Sequence, residues 1–368
     1  MTQNLPPQNN ELEISVFGPG VGECILVHFG NQKWIVVDSC IDPITNEPLP
    51  LRYLKKLGLT PKNAIKIIVS THWHDDHSSG LSDMINQCEE SKFVCSDAVN
   101  SIEFLKLMYW YENGSSLPIT GVREISKVFH ILKTKDRIPT FAKENLLLYE
   151  NDKKEAIKCK IISLSPSDKS VLLSKLEISK LIPQTRILRK PILPQPPNNQ
   201  CVVLWIDFQK ERVLLGADLE NINDSKRGWL AILKSDQLQR EKALIFKIPH
   251  HGSNNADHPE IWNSLVKKNP FAILTPYSRL RDPLPTKTDI NRILSKTTEA
   301  YLTANPTRRR KIKRSNTVEK ILKESGCKIY REISSIGQVR LRGRVNKNKI
   351  QWNVDLFDDA FKLNQNMT

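Results

Sequence analysis

Three histidines and two aspartates crowd into six residues, His72-Trp73-His74-Asp75-Asp76-His77. Imidazole nitrogen and carboxylate oxygen are the ligands that zinc and similar first-row divalent cations accept. The whole chain has eight histidines, so three of them in the pattern H-x-H-x-D-H read as a metal-ligand cluster rather than a polar loop rich in His by chance. More residues of these types stand far away in sequence: Asp38, Asp218 within Gly216-Ala217-Asp218, and the pair in Pro249-His250-His251-Gly252-Ser253.

The elements that must position them are legible from apolar patterning. Residues 65–69 are short, β-branched and bounded by polar residues, which is the signature of a buried strand. The histidine cluster then occupies the loop at that strand's C-terminal end, with Gly80 and Leu81 opening a helix. Residues 12–16, 24–29 and 33–37 read as three successive strands, the last ending at Asp38. The turn Gly18-Pro19-Gly20-Val21-Gly22 between the first two is not followed by a helix, so it is no dinucleotide cradle. Its glycines serve positive φ or a close backbone approach near the cluster. Residues 201–208 and 212–216 form a hairpin that ends at Asp218, and residues 243–248 form a strand that ends at Pro249. Helices are expected over residues 81–88, 98–111, 122–132, 169–181 and 258–266, among others. Each half opens with hairpin strands and passes to alternating strands and helices. That order predicts an α/β architecture of two mixed sheets packed face to face with helices outside. The polar clusters all follow strands directly, so they can converge at one edge.

With 368 residues, 39% hydrophobic and 26% charged, the chain has the composition of a globular protein with ample material for a core. No apolar run reaches the length of a membrane span. The start, MTQNLPPQNNELE, lacks the basic and apolar regions of a secretion signal. Seven cysteines without CxxC spacing argue against a disulfide framework and for a reducing cytoplasm. The net charge of +15 and a pI near 9.4 favour polyanionic partners, nucleic acid first. The densest positive block is Arg308-Arg309-Arg310-Lys311-Ile312-Lys313-Arg314, which suits phosphate-backbone attraction. Four regions follow from these patterns: a disordered lead-in at 1–10, a main domain at 11–304, a basic linker at 305–316, and a helix with a hairpin at 317–368 packed on the main domain.

Asp38, His72-x-His74-x-Asp76-His77, Gly216-Ala217-Asp218 and Pro249-His250-His251-Gly252-Ser253 together resemble the metallo-β-lactamase fold superfamily, over roughly residues 12–303. Residues 200–253 are most similar to the hydrolase domain of ComEC-type DNA-uptake proteins, here without membrane segments. The resemblance implies a four-layer αββα sandwich and a site for two divalent ions, zinc or manganese. It implies that His72 and His74 hold the first ion, that Asp76 and His77 hold the second, and that Asp218 bridges them. One of His250 or His251 completes the second site; His250 is favoured because it comes straight off the strand. Asp38 would orient a ligand histidine through its free N–H. Many members supply a third, mid-chain histidine to the first ion. Here His130 sits in an apolar helical run and reads as a core or helix-face residue, while Asn199 could supply an oxygen, bind substrate or serve a turn.

The chemistry implied is hydrolysis by a hydroxide generated between two cations, most readily of a phosphodiester in DNA or RNA. Asp76 or Asp218 would steer the nucleophile, and His251 and Ser253 would contact a phosphate oxygen or the leaving group. A small anionic ester, lactone, lactam or thioester is the alternative substrate on the same fold, and a regulatory protein with a vestigial site is the third expectation.

Overall fold

The computed structural model describes residues 4–18, 22–114, 120–152, 155, 157–181, 197–209, 211–235, 242–278, 281–305, 315–326, 336–346 and 349–364. The first half runs β1 (Glu11–Gly18), β2 (Cys24–His28), β3 (Trp34–Val37), α1 (Leu49–Lys56), α2 (Pro61–Ala64), β4 (Ile65–Ser70), α3 (Asp75–Ser78), α4 (Leu81–Gln87) and β5 (Lys92–Ser96). It continues through α5 (Ile102–Gly114), α6 (Thr120–Thr134), β6 (Thr140–Ala142), β7 (Leu146–Glu150), β8 (Cys159–Ser163) and α7 (Asp168–Leu181). The second half runs β9 (Leu204–Phe208), β10 (Glu211–Leu215), α8 (Gly228–Leu233), β11 (Ala243–Lys247), β12 (Val266–Leu274), α9 (Lys287–Leu294) and β13 (Ala300–Leu302). The chain closes with α10 (Asn316–Glu324), β14 (Gly337–Asn346), β15 (Lys349–Phe357) and β16 (Phe361–Lys362).

Among the described residues the strands form two eight-stranded mixed sheets, β15-β14-β1-β2-β3-β4-β5-β6 and β16-β13-β12-β11-β10-β9-β8-β7. The period-two alternation of each strand decides the layering. Ile25 and Val27 of β2, Ile35 and Val37 of β3, and Ile67 and Val69 of β4 face the inter-sheet core, where they meet Leu204, Ile206, Val213 and Ile245. Their neighbours Leu26, Val36 and Ile68 face outward and are covered by Leu54, Met84, Ile85, Phe104 and Val128 of the first helical layer. On the far side Leu214, Phe246 and Ala272 are covered by Trp229 and Ile293. The result is the αββα sandwich that the sequence implied.

Pairing within the sheets places the site. β3, β4 and β5 run parallel, as do β10, β11 and β12, so several strands deliver their C-terminal ends to the same edge of the sandwich. No helix among the described residues is long and apolar enough to cross a membrane.

Several features differ from the sequence expectation. β6 and β7 are not foreseen, because both are short and carry half-buried or exposed positions that blur the alternation. β12 begins at Val266, and the helix expected over 258–266 is present from Pro259, its last five residues Ile261–Leu265 wound as a π-helix that runs directly into that strand. Part of the lead-in packs on the first sheet: Pro7 is buried, and Arg342 of β14 donates to the Leu5 carbonyl at 2.6 Å. The hairpin β14–β15 pairs along the whole of β1 and extends the first sheet. The basic block 308–314 lies outside the described residues.

Candidate metal centre

β4 ends at Ser70, and the backbone then carries Thr71, His72 and His74 across the sheet edge before α3 presents Asp76 and His77. Trp73 anchors this loop from below; it is buried and its ring lies 5.3 Å from that of Phe104. Asp75 accepts a hydrogen bond from the Gly121 N–H and ties α6 to the loop. Gly22, with φ +97°, lets the loop before β2 pass close to the same place, and Glu23 N–H donates to the Asp76 carbonyl at 2.8 Å.

Asp38 turns back toward the cluster from the end of β3 with φ +59°. Its Oδ1 accepts from Thr71 N–H at 2.7 Å, and its Oδ2 accepts from Thr71 Oγ1 at 2.6 Å and His77 Nδ1 at 2.8 Å. Burial raises the Asp38 carboxyl from its ordinary range despite these donors. Because Thr71 Oγ1 spends its proton on Asp38, it accepts from His72 Nδ1 at 2.9 Å. His72 and His77 thereby keep a proton on Nδ1 and turn Nε2 inward.

From the second sheet, Asp218 follows β10 and His251 follows β11. Asp218 Oδ2 lies 3.4 Å from His77 Nε2 and 3.6 Å from His251 Nε2, and Asp76 Oδ2 lies 3.6 and 3.4 Å from the same two atoms. Ligand atoms of Asp76, His77, Asp218 and His251 all lie within 4.8 Å of one another, as do those of His72, His74 and Asp218. Asp218 belongs to both groups.

Electrostatics follow from this crowding. Burial pushes the His72 imidazole well below its usual range, with the His77 and His74 rings adding to the effect, and burial lowers His74 as well. For His77 burial acts in the same sense, but the carboxylates of Asp218, Asp76 and Asp38 outweigh it and raise the ring. Burial alone would raise Asp218; the His77 and His251 rings hold it well below the usual carboxylate range. Negative charge that attracts a proton to His77 attracts a cation equally well.

A divalent metal fits these residues on three grounds. His77 Nε2 and Asp218 Oδ1 are buried without a hydrogen-bond partner, which native interiors rarely tolerate. His72 Nε2 and His74 Nδ1 lie 3.1 Å apart, close to the roughly 3.3 Å separating two nitrogens bound to one tetrahedral ion. The donor set is imidazole and carboxylate throughout.

The structure corrects the choice between the two adjacent histidines. His251, not His250, reaches the carboxylates. Both have positive φ, +45° and +53°, and this double left-handed turn sends consecutive side chains in different directions. His251 is buried, with Nδ1 3.2 Å from the Thr275 carbonyl. His250 stands at the rim instead, its Nδ1 2.9 Å from Asn255 Oδ1 and 3.6 Å from Glu220 Oε1. Asn198 rather than Asn199 touches that rim, donating to Glu220 Oε1 at 3.0 Å. Asn199 sits in the turn Pro197–Gln200 with a buried, unpartnered Oδ1. Ser253 is half-buried beyond the turn, and His130 lies on the exposed face of α6. Sequence patterning misses Thr71, Thr275, Glu23 and Lys247; the one available signal was a lysine ending the apolar strand β11.

Residues 17–268 match the family described as the metallo-beta-lactamase superfamily. The chain belongs to that superfamily, whose members are generally metal-dependent hydrolases. Similar solved structures include a metallo-beta-lactamase from Cronobacter sakazakii mutated in its HARLDQ motif (13% identity, 66% of this chain, 79% of that one, TM-score 0.34). The hydrolase AbOPH of the beta lactamase superfamily is 14% identical over 58% of this chain and 72% of its own, with a TM-score of 0.33. The metallo-beta-lactamase fold protein YhfI from Bacillus subtilis is 13% identical over 64% and 70%, with a TM-score of 0.31. No curated protein matches the chain in sequence.

Proposed function

We propose that this chain is a phosphodiesterase that cuts DNA or RNA with two divalent cations, zinc or manganese. The observation that carries the proposal is Asp218, whose carboxylate belongs to both ligand groups, as a bridging ligand between two ions must. His72, His74 and Asp218 would hold one ion, and Asp76, His77, Asp218 and His251 the other. Bound there, a cation pair supplies Lewis acidity to both oxygens of an in-line displacement and acidifies water.

The chain's own residues do the rest. Asp38 and Thr71 keep Nε2 of His77 and of His72 turned inward. Asp76, the less buried of the two cluster carboxylates, orients the attacking water. His250 stands at the rim, bonded through Nδ1 to Asn255 Oδ1 and with Nε2 3.5 Å from Asn198 Nδ2, and lines the approach to the cations, with Ser253 just beyond the turn. A net charge of +15 draws a polyanion to the surface, and Arg308, Arg309, Arg310, Lys311, Lys313 and Arg314 would lengthen its footprint.

Fold does not decide substrate, so activity must. The purified chain with Mn2+ or Zn2+ is expected to degrade single- or double-stranded nucleic acid, and Asp218→Ala is expected to abolish this. A wild-type chain that leaves DNA and RNA intact with every metal, yet hydrolyses a small ester, lactone or thioester, overturns the proposal.

A further inference from the structure

Beneath the cluster lies a buried ion pair. Lys247, at the end of β11, is fully buried, and its Nζ is 2.6 Å from Oε1 of the equally buried Glu23. The same ammonium donates to the Ala217 carbonyl at 3.2 Å, one residue before Asp218. The other oxygen of Glu23 accepts from Thr275 Oγ1, and the Glu23 N–H holds the Asp76 carbonyl. Thr275 in turn offers its carbonyl to His251 Nδ1.

Asp76, Asp218 and His251 are therefore each tied to this pair through a single neighbour or a single bond. The ties also cross the sandwich. Glu23 leads into β2 of the first sheet, which also delivers Asp76 and His77. Lys247, Ala217 and Thr275 belong to the second sheet, which delivers Asp218 and His251. Glu23 comes within 4.8 Å of Asp38 and His77 as well, but its two oxygens are already engaged by Lys247 and Thr275. A buried ion pair is seldom more stabilising than apolar residues of the same volume, so stability gives little reason for one here.

We propose that the Glu23–Lys247 pair, with Thr275, is the brace that sets the ligands of the two sheets at the spacing a cation needs. Glu23 and Lys247 are positioning residues: they act on Asp76, Asp218 and His251 and touch no ion themselves.

The test is Co2+ titration of the full chain, followed by visible absorption and by competition with a chelator. The double variant Glu23→Gln/Lys247→Met removes both charges and approximately keeps the volume. It is expected to unfold at a temperature near that of the wild type and to bind one of two Co2+ ions about 10- to 100-fold more weakly, with an altered spectrum. Thr275→Val keeps both charges and is expected to weaken the same ion. A purely structural pair would leave affinity and spectrum unchanged, and that result in either folded variant overturns the brace. Should the double variant fail to fold, Thr275→Val decides alone. The proposal rests on the cation site described above, and the two fail differently. A wild-type chain that takes up no Co2+ removes the cation site, whereas normal uptake by the variants removes only the brace.

Discussion

His77 Nδ1 donates to Asp38 Oδ2 across 2.8 Å, joining residues 39 positions apart in the chain. One bond keeps a proton on Nδ1 of His77, and hence leaves Nε2, turned toward Asp76 and Asp218, as the nitrogen that a cation would take. Asp38 has no room for a neutral substitute, because its two oxygens already accept from three donors. In Asp38→Asn the amide NH2 meets a donor in either orientation. Divalent metal affinity is expected to fall about 10- to 100-fold, measured by chelator competition. Unchanged affinity would mean that the Asp38 bond does not set the ring.

The shared position of Asp218 and the divergence of His250 from His251 make distinct stoichiometric predictions. Asp218→Ala is expected to lose both ions in a metal analysis of dialysed protein, and His74→Ala or His251→Ala one each. His250→Ala is expected to keep both ions and to slow turnover. Loss of an ion from His250→Ala, with full occupancy in His251→Ala, would reverse the assignment.

Gly121 lies near the start of α6, where replacing glycine by alanine ordinarily stabilises a helix by about 0.5–1 kcal/mol. Here a Cβ would stand 1.9 Å from the Trp73 carbonyl oxygen, inside the loop that carries the histidines. The sign is expected to reverse. Gly121→Ala should destabilise by about 1–3 kcal/mol in urea unfolding, with α6 pushed off the loop and the Asp75 bond broken. A stabilised variant would show that this contact is not kept in solution.

His28 gives the stability a pH dependence away from the metal centre. Its Nδ1 bonds the Glu11 carbonyl at 2.9 Å, while Nε2 is buried without a partner. Burial pushes the ring down to about 4, against the Glu11 bond and with help from Arg342. The unfolded chain, with an ordinary imidazole near 6.5, takes up this proton first as the pH falls. The contribution of neutral His28 is therefore complete above about pH 6.5 and is lost progressively down to about pH 4, roughly 3 kcal/mol in all. Denaturant unfolding of wild type and His28→Gln across that range should show the wild type losing the more stability. Parallel curves would remove His28 as the titrating group.

Much of the site was legible because its largest part is local. His72, His74, Asp76 and His77 lie in one loop, and the strand that delivers them shows its own apolar signature. Asp38 and Asp218 were found the same way, as acids placed directly after strands. The hairpin β14–β15 was visible as alternation, but its place beside β1 was not, since register belongs to the partner strand as much as to its own sequence. His250 was preferred to His251 on the premise that the first residue off a strand points into the site. Two consecutive left-handed residues break that premise, and neither is a glycine that would have announced them.

The sequence by itself determined the ligand types, the strand–loop positions that carry them and the layered α/β class. Those are properties of composition and of periods of two and 3.6 residues, which act within a segment. Only the tertiary structure decided that His251 rather than His250 joins Asp76, His77 and Asp218, and that Glu23 meets Lys247 beneath them. Each of these is a distance between the two sheets, set by how their inner faces pack, and no single segment contains it.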